Sequence, residues 1–98
     1  ANSILYIESS DNYLNVFYLL NNSIQHRFVR NTLTSFEKSK VHPTLIRCHR
    51  SFIININRVR SIKGNAGGYK LVIENSDREI PLSRKYCKSV FPLLKSIV

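Results

Sequence analysis

Two arginines stand where a fixed guanidinium could do specific chemistry. Arg50 falls where an expected strand ends in an abrupt turn, and Arg84 follows another expected strand, just past Ser83. A guanidinium held at such a junction presents two parallel N–H donors, the pattern that suits the O6 and N7 acceptors on the major-groove edge of guanine. The backbone amides at the start of the helix expected after Ser83 could also hold a phosphate. Taken singly, each arginine reads more readily as an ordinary surface charge, so their surroundings must decide.

Those surroundings are strongly cationic. Fifteen Lys and Arg against six Asp and Glu give a formal charge of +9 on 98 residues. No acidic residue lies between Glu37 and Glu74, whereas Arg47, Arg50, Arg58, Arg60, Lys63 and Lys70 all fall there. So one-sided a balance implies a polyanionic partner, nucleic acid or an anionic membrane face; solubility alone does not call for it. A lysine such as Lys63 would add to binding of any nucleic-acid sequence alike.

Constellations for catalysis are missing. Gly64, Gly67 and Gly68 fall between expected hairpin strands, where they supply turn dihedrals; a phosphate-cradling loop would place them at a helix N-terminus. The six acids are scattered and nominate no acid and base pair, and Cys48 and His49, adjacent on a strand, point to opposite faces. His26, His42 and His49 share no ligand spacing with one another or with Cys48 and Cys87. No enzyme, cofactor or metal is expected, and the two cysteines read as reduced core thiols.

The elements that must position these residues are short. The chain has 43% hydrophobic and 21% charged residues, a globular composition at a length that suits one domain over residues 1–98. It contains no Met, from which we expect a piece of a longer protein, and no apolar run long enough to span a bilayer. Residues 3–9 and 13–20 read as strands, Asn21-Asn22 as a two-residue turn, and residues 23–30 as a half-exposed partner strand with Ile24, His26 and Phe28 on one side. Residues 31–40 change to a helical period, with Thr34 and Glu37 matching a capping box and His42-Pro43 closing the helix. A strand from Leu45 runs into an apolar knot without a clean period, and residues 50–55 read as a tight or helical turn before a strand at 58–63. Two further strands complete a three-stranded meander. A helix N-capped by Ser83 closes the domain, with Tyr86, Val90 and Leu94 on one face and Pro92 ending or kinking it. Without strand–helix–strand alternation, the fold class is mainly antiparallel β, with six or seven short strands and two or three short helices.

The stretch "IRCHRSFIININRVRSI", then a Gly-containing hairpin and "IPLSRKYCKSVFPLL", resembles the LytTR family of bacterial DNA-binding domains. The matching residues are Arg47, His49, Arg50, Ser51, Phe52, Ile53, Ile54 and Asn55, then Pro81, Leu82, Ser83 and Arg84. "ILYIESSDNYLNVFY" is similar to the family's early strand, loop and strand, and "TLTSFEK" to its first helix. The resemblance implies an elongated antiparallel β fold of short sheets, lacking here the family's first strand or two, whose loops enter successive major grooves of bent double-stranded DNA. Carried over by position, Arg50, Arg84 and an early-loop residue would contact bases, and His49, Ser51, Ser83 and Lys85 phosphates. In the loop spanning Asn12 to Asn15, Asn15 is chosen because a carboxamide can bond two groups on adenine and a leucine cannot.

The resemblance further implies a cytoplasmic response-regulator output domain, joined upstream to a receiver or sensor domain, pairing on repeated half-sites, with no membrane contact of its own. The competing reading is a basic β module for RNA or single strands. It needs stacking aromatics exposed on a sheet, whereas Tyr13, Tyr18, Phe28 and Tyr69 read as core. A lipid-bound adaptor is the third, and no apolar wedge or basic amphipathic helix supports it.

Overall fold

The computed structural model describes residues 3–39, 42–65 and 67–94. Among them are eight strands in two antiparallel sheets, as the sequence suggests in kind. The larger sheet has the order β3-β2-β1-β5-β4, made of β1 (Ile4–Ser10), β2 (Tyr13–Leu20), β3 (Ser23–Arg30), β4 (Leu45–His49) and β5 (Phe52–Asn55). The smaller sheet is the expected meander, β6 (Val59–Asn65), β7 (Gly68–Ile73) and β8 (Glu79–Leu82).

The larger sheet is the middle layer. On one face Ile7, Leu14 and Ile53 pack with Leu33 of helix α1 (Leu33–Ser39). On the other, Tyr6, Phe52 and Ile54 pack with Leu71 and Ile80 of the smaller sheet and with Val90 near the C-terminus. Alternate residues of β5 thus serve two cores, and all four are buried. This corrects the reading of residues 50–55 as a turn. The run Phe52-Ile53-Ile54 lacks a period because both faces are covered, as in a fully buried strand. The helical turn comes later, as a 3-10 turn over Ile56–Arg58. Asn55 ends β5 at 0% exposure; its Nδ2 donates to the Ile4 carbonyl at 2.8 Å and its Oδ1 accepts from the Asn57 amide at 3.1 Å. Its side chain therefore fastens the end of β5 to the start of β1.

Helix α1 begins two residues earlier than the capping-box reading places it. Thr32 is the residue whose Oγ1 accepts from the Ser35 amide, at 3.1 Å, and whose carbonyl accepts from Phe36. Thr34 lies inside the helix, which runs to Ser39, ahead of His42-Pro43; Lys40, the last residue of the expected helical stretch, lies outside the described residues. Strand β3 departs more: all eight of its residues are exposed, because neither α1 nor the smaller sheet reaches this edge. Tyr13 and Phe28 are accordingly 43% and 56% exposed, against their reading as core.

The turns follow expectation more closely. Asn21 and Asn22 both have positive φ, 52° and 63°, the signature of a type I′ hairpin turn. Gly64 has φ 101°, and a Cβ there would lie 2.1 Å from the Gly68 carbonyl oxygen, so the β6–β7 hairpin requires glycine at that point. At the C-terminus a 3-10 turn (Arg84–Tyr86), the four-residue α2 (Cys87–Val90) and a second 3-10 turn (Phe91–Leu94) replace a continuous helix. Regular α-helix stops before Pro92, as its missing N–H requires.

Candidate nucleic-acid interface

The β4–β5 connection is an abrupt two-residue turn, Arg50-Ser51, and it is braced from several directions. The Ser51 amide donates to His49 Nδ1 at 3.1 Å. The Ser51 carbonyl accepts from the Ser9 amide of β1 at 2.9 Å. Arg47, whose side chain is only 12% exposed, donates from Nε to the His49 carbonyl at 2.8 Å and from a terminal nitrogen to the Arg50 carbonyl at 2.7 Å. Its other terminal nitrogen meets Glu37 of α1 at 3.0 Å. Arg50 itself is exposed, and among the described residues no carboxylate pairs with it.

Arg84 is brought to the same region by one backbone bond. The Ser83 amide donates to the Cys48 carbonyl at 2.9 Å, tying the residue before Arg84 to the residue two before Arg50. Three Cα steps and that bond keep the Arg50 and Arg84 Cα atoms within roughly 18 Å. Arg84 and Lys85 are exposed, and the Lys85 ammonium lies 5.4 Å from the centre of the Tyr86 ring. Ser83 occupies the position before the 3-10 turn in extended conformation, but its hydroxyl makes no capping bond. A three-residue 3-10 turn also has little of the aligned dipole expected of a helix start, so hydroxyl and amide donors are what this corner offers an anion.

Asn15 is not in a loop. Only Asp11 and Asn12 turn between β1 and β2, with Asp11 at φ 53°, and Asn15 is the third residue of β2, paired with Glu8 on one side and Phe28 on the other. Its Oδ1 is engaged by His26 Nδ1 at 3.0 Å, which removes half of the donor–acceptor pair that adenine would need. Leu14 is buried in the core beneath α1. Asn12, exposed in the turn, is the remaining carboxamide of that segment, and the antiparallel pairing of β1 with β5 sets its turn beside Arg50-Ser51.

The titratable groups here are passive. Burial pushes the Cys48 thiol up to about 12, and it remains a weak donor toward the Phe52 and Pro81 carbonyls. Both cysteines are free; Cys48 lies in the core and Cys87, read as a core thiol as well, is only half-buried. Burial, then the charges of Arg50 and Arg47, hold His49 below the usual imidazole value, so at neutral pH the ring is uncharged; with Nδ1 accepting from Ser51, Nε2 carries the hydrogen. Lys63 is drawn into an ion pair with Glu79 at 2.7 Å, which makes it a poorer general anion contact than its position in the sequence suggests. Sequence reasoning put Glu37 in a capping box, Tyr86 on a helix face and Arg47 in the family pattern, and linked none of them to one another. Their signal lay in the alternation of β4 and in the packing of α1 beside it, which links residues ten positions apart.

A mainly antiparallel fold that displays arginines from turns defines a class of binding domain. The sequence matches the LytTr DNA-binding domain over residues 1–95, and the chain belongs to that family. Sensory transduction protein LytT of Bacillus subtilis is 31% identical over 93 residues, covering 93% of this chain and 36% of that protein. Transcriptional regulatory protein BtsR of Salmonella typhi is 29% identical over 73 residues, covering 74% of this chain and 29% of that protein. The chain thus spans about a third of the length of these curated relatives. A solved LytTr DNA-binding domain from Bacillus cereus superposes with a TM-score of 0.73 at 26% identity, covering 96% of this chain and 83% of that one. Among the described residues no helix is long and apolar enough to cross a membrane.

Proposed function

We propose that this domain binds double-stranded DNA sequence-specifically as the output part of a bacterial transcription regulator acting in the cytoplasm. Turns do the reading: Arg50 and Arg84 each give a guanine two hydrogen bonds in the major groove, and Asn12 replaces Asn15 as the early-turn contact. The observation that carries this reading is the Ser83–Cys48 backbone bond, which holds two exposed arginines, neither in an ion pair among the described residues, on neighbouring turns of a chain with charge +9. His49 Nε2–H, the Ser83 hydroxyl, Ser51 and Lys85 surround them with donors suited to phosphate oxygens. The longest extent of the domain is 34 Å, close to one turn of B-DNA at about 34 Å, so the domain can lie along one side of a single turn of duplex with the two reading corners facing one groove. In the full-length regulator an upstream receiver or sensor domain would bring two copies together on repeated half-sites.

The exposed Tyr13 and Phe28 keep a single-strand reading in play, since stacking platforms require this kind of exposure. One experiment separates the two. Selection from a random duplex library, followed by competition with single strands, should yield a duplex motif that single strands do not displace. On that motif Arg50→Ala and Arg84→Ala should each cost about 1–3 kcal/mol and relax preference at one base position. Parent-like affinity of both variants in matched salt removes the contact assignment, and displacement by single strands removes the duplex reading.

A further inference from the structure

We infer that Arg47 is a positioning residue that sets the base-reading geometry of both turns without touching DNA. The inference rests on the reading above for what the turns do, and on the geometry of Arg47 alone for how they are held. One planar guanidinium meets three acceptors: the His49 carbonyl at 2.8 Å, the Arg50 carbonyl at 2.7 Å and Glu37 at 3.0 Å. The two carbonyls flank the peptide units from which Arg50 projects, so the fork fixes the course of the backbone through that residue. The same guanidinium lies over the Tyr86 ring, 6.0 Å from its centre, and Tyr86 belongs to the 3-10 turn that begins with Arg84. Arg47 therefore sits between the two reading corners and is anchored from behind by α1 through Glu37.

Its surroundings separate this role from that of a phosphate contact. The side chain is 12% exposed and its donors are directed at protein oxygens, whereas Arg50, Arg84 and Lys85 are exposed. A bulge in β4 between Arg47 and His49 displaces the strand just before the turn. Bulges leave local backbone groups unpaired and re-aim the residues that follow. Here the Arg47 fork supplies donors to the carbonyls of that irregular stretch. Lysine cannot do this: an ammonium on a flexible stem keeps the charge but lacks the planar set of N–H groups that meets both carbonyls and Glu37 at once.

The test compares Arg47→Lys, Arg47→Gln and Arg50→Ala, alone and with each Arg47 change combined with Arg50→Ala. Binding is measured to the selected duplex and to an unrelated duplex at matched salt. Both Arg47 variants should lose about ten- to a hundredfold on the selected duplex, the range of a lost bidentate base contact. Preference should relax at the positions read by both Arg50 and Arg84, the unrelated duplex should bind Arg47→Lys as it binds the parent, and the double variants should bind worse than Arg50→Ala only by the part of the loss that runs through Arg84. Recovery of specific binding in Arg47→Lys, or a loss adding in full to that of Arg50→Ala, would overturn the inference, because charge alone would then explain the residue. Hydrogen exchange of the Ser51 amide in the free protein gives a readout independent of DNA. Arg47→Lys, which keeps the charge and the apolar stem, should speed that exchange by more than any accompanying fall in melting temperature accounts for. If Arg50→Ala binds like the parent, the contact reading fails by itself, and Arg47 stands or falls on the exchange rate: an unchanged rate removes it as a positioning residue.

Discussion

Strands β5 and β3 belong to one sheet and meet opposite fates. β5 is buried at all four positions because α1 covers one face of it and the smaller sheet the other. β3 is exposed at all eight because neither cover extends past β2. Local pattern misleads in both cases: β5 has no alternation and resembles a turn, while β3 alternates Ile24, His26 and Phe28 and resembles a half-buried strand. Burial is decided by what lies above and below a strand. The difference extends to the turns, since the Arg50 turn opens directly into β5 and is fastened to the core, whereas the hairpin that ends in β3 has one open side.

The largest effect that tests this contrast is on stability. Ile54→Ala should cost about 2–5 kcal/mol, since it empties a site sealed between two layers. Phe28→Ala, though it removes a larger side chain, should stay within roughly 0.5 kcal/mol of the parent because the ring is already solvated. Urea melts at one pH measure both. A cost at Phe28 as large as that at Ile54 would mean that the β3 edge is covered in solution.

A second prediction takes the contrast to the candidate site. Asn12 stands in a two-residue turn, and Asn15 lies inside β2 with Oδ1 held by His26. Asn12→Ala should weaken binding to the selected duplex by about 1–3 kcal/mol if its carboxamide reads a base. Asn15→Ala should leave binding nearly unchanged and lower stability by about 1 kcal/mol through the lost side-chain bond. The opposite pattern in a paired titration would restore Asn15 as the contact and require β2 to open on binding.

The legibility of the molecule divides along the same line. The meander, the Asn21-Asn22 turn, the short α1 and the stop before Pro92 were all readable, because turn chemistry, helical period and proline act within a few residues of where they appear, whereas the caps read at Thr34 and Ser83 were not found there. Arg50 and Arg84 were readable as candidates from their places beside strand ends and from the family pattern. Their proximity was not, since it depends on a bond between residues 48 and 83, and no local signal carries that pairing. The same holds for Arg47, whose partners come from β4, the turn and α1. Asn15 was misplaced for a chemical reason: its carboxamide suits adenine, and composition does not reveal that His26, eleven residues away, already occupies it.

The smallest expected effect concerns His49, which joins the braced turn to solvent. Burial and the two neighbouring arginines hold its folded value below the usual 6.5. In the unfolded chain that depression is absent, so between the two values the unfolded state takes up a proton that the folded state refuses. The stability associated with neutral His49 is therefore complete above about pH 6.5 and declines as the pH falls through that value toward the folded one. Protonation also turns Nδ1 from an acceptor into a donor, so it can no longer receive the Ser51 amide, and the turn carrying Arg50 loses one of its braces. Between pH 7 and 5 the parent should lose more melting temperature than His49→Gln, whose carboxamide oxygen can accept the same amide at any pH. The other titrating groups are common to both proteins and cancel in the difference. Equal slopes for the two would show that His49 titrates as freely in the fold as in the open chain, and its hydrogen bond to the turn would then have no part in holding Arg50.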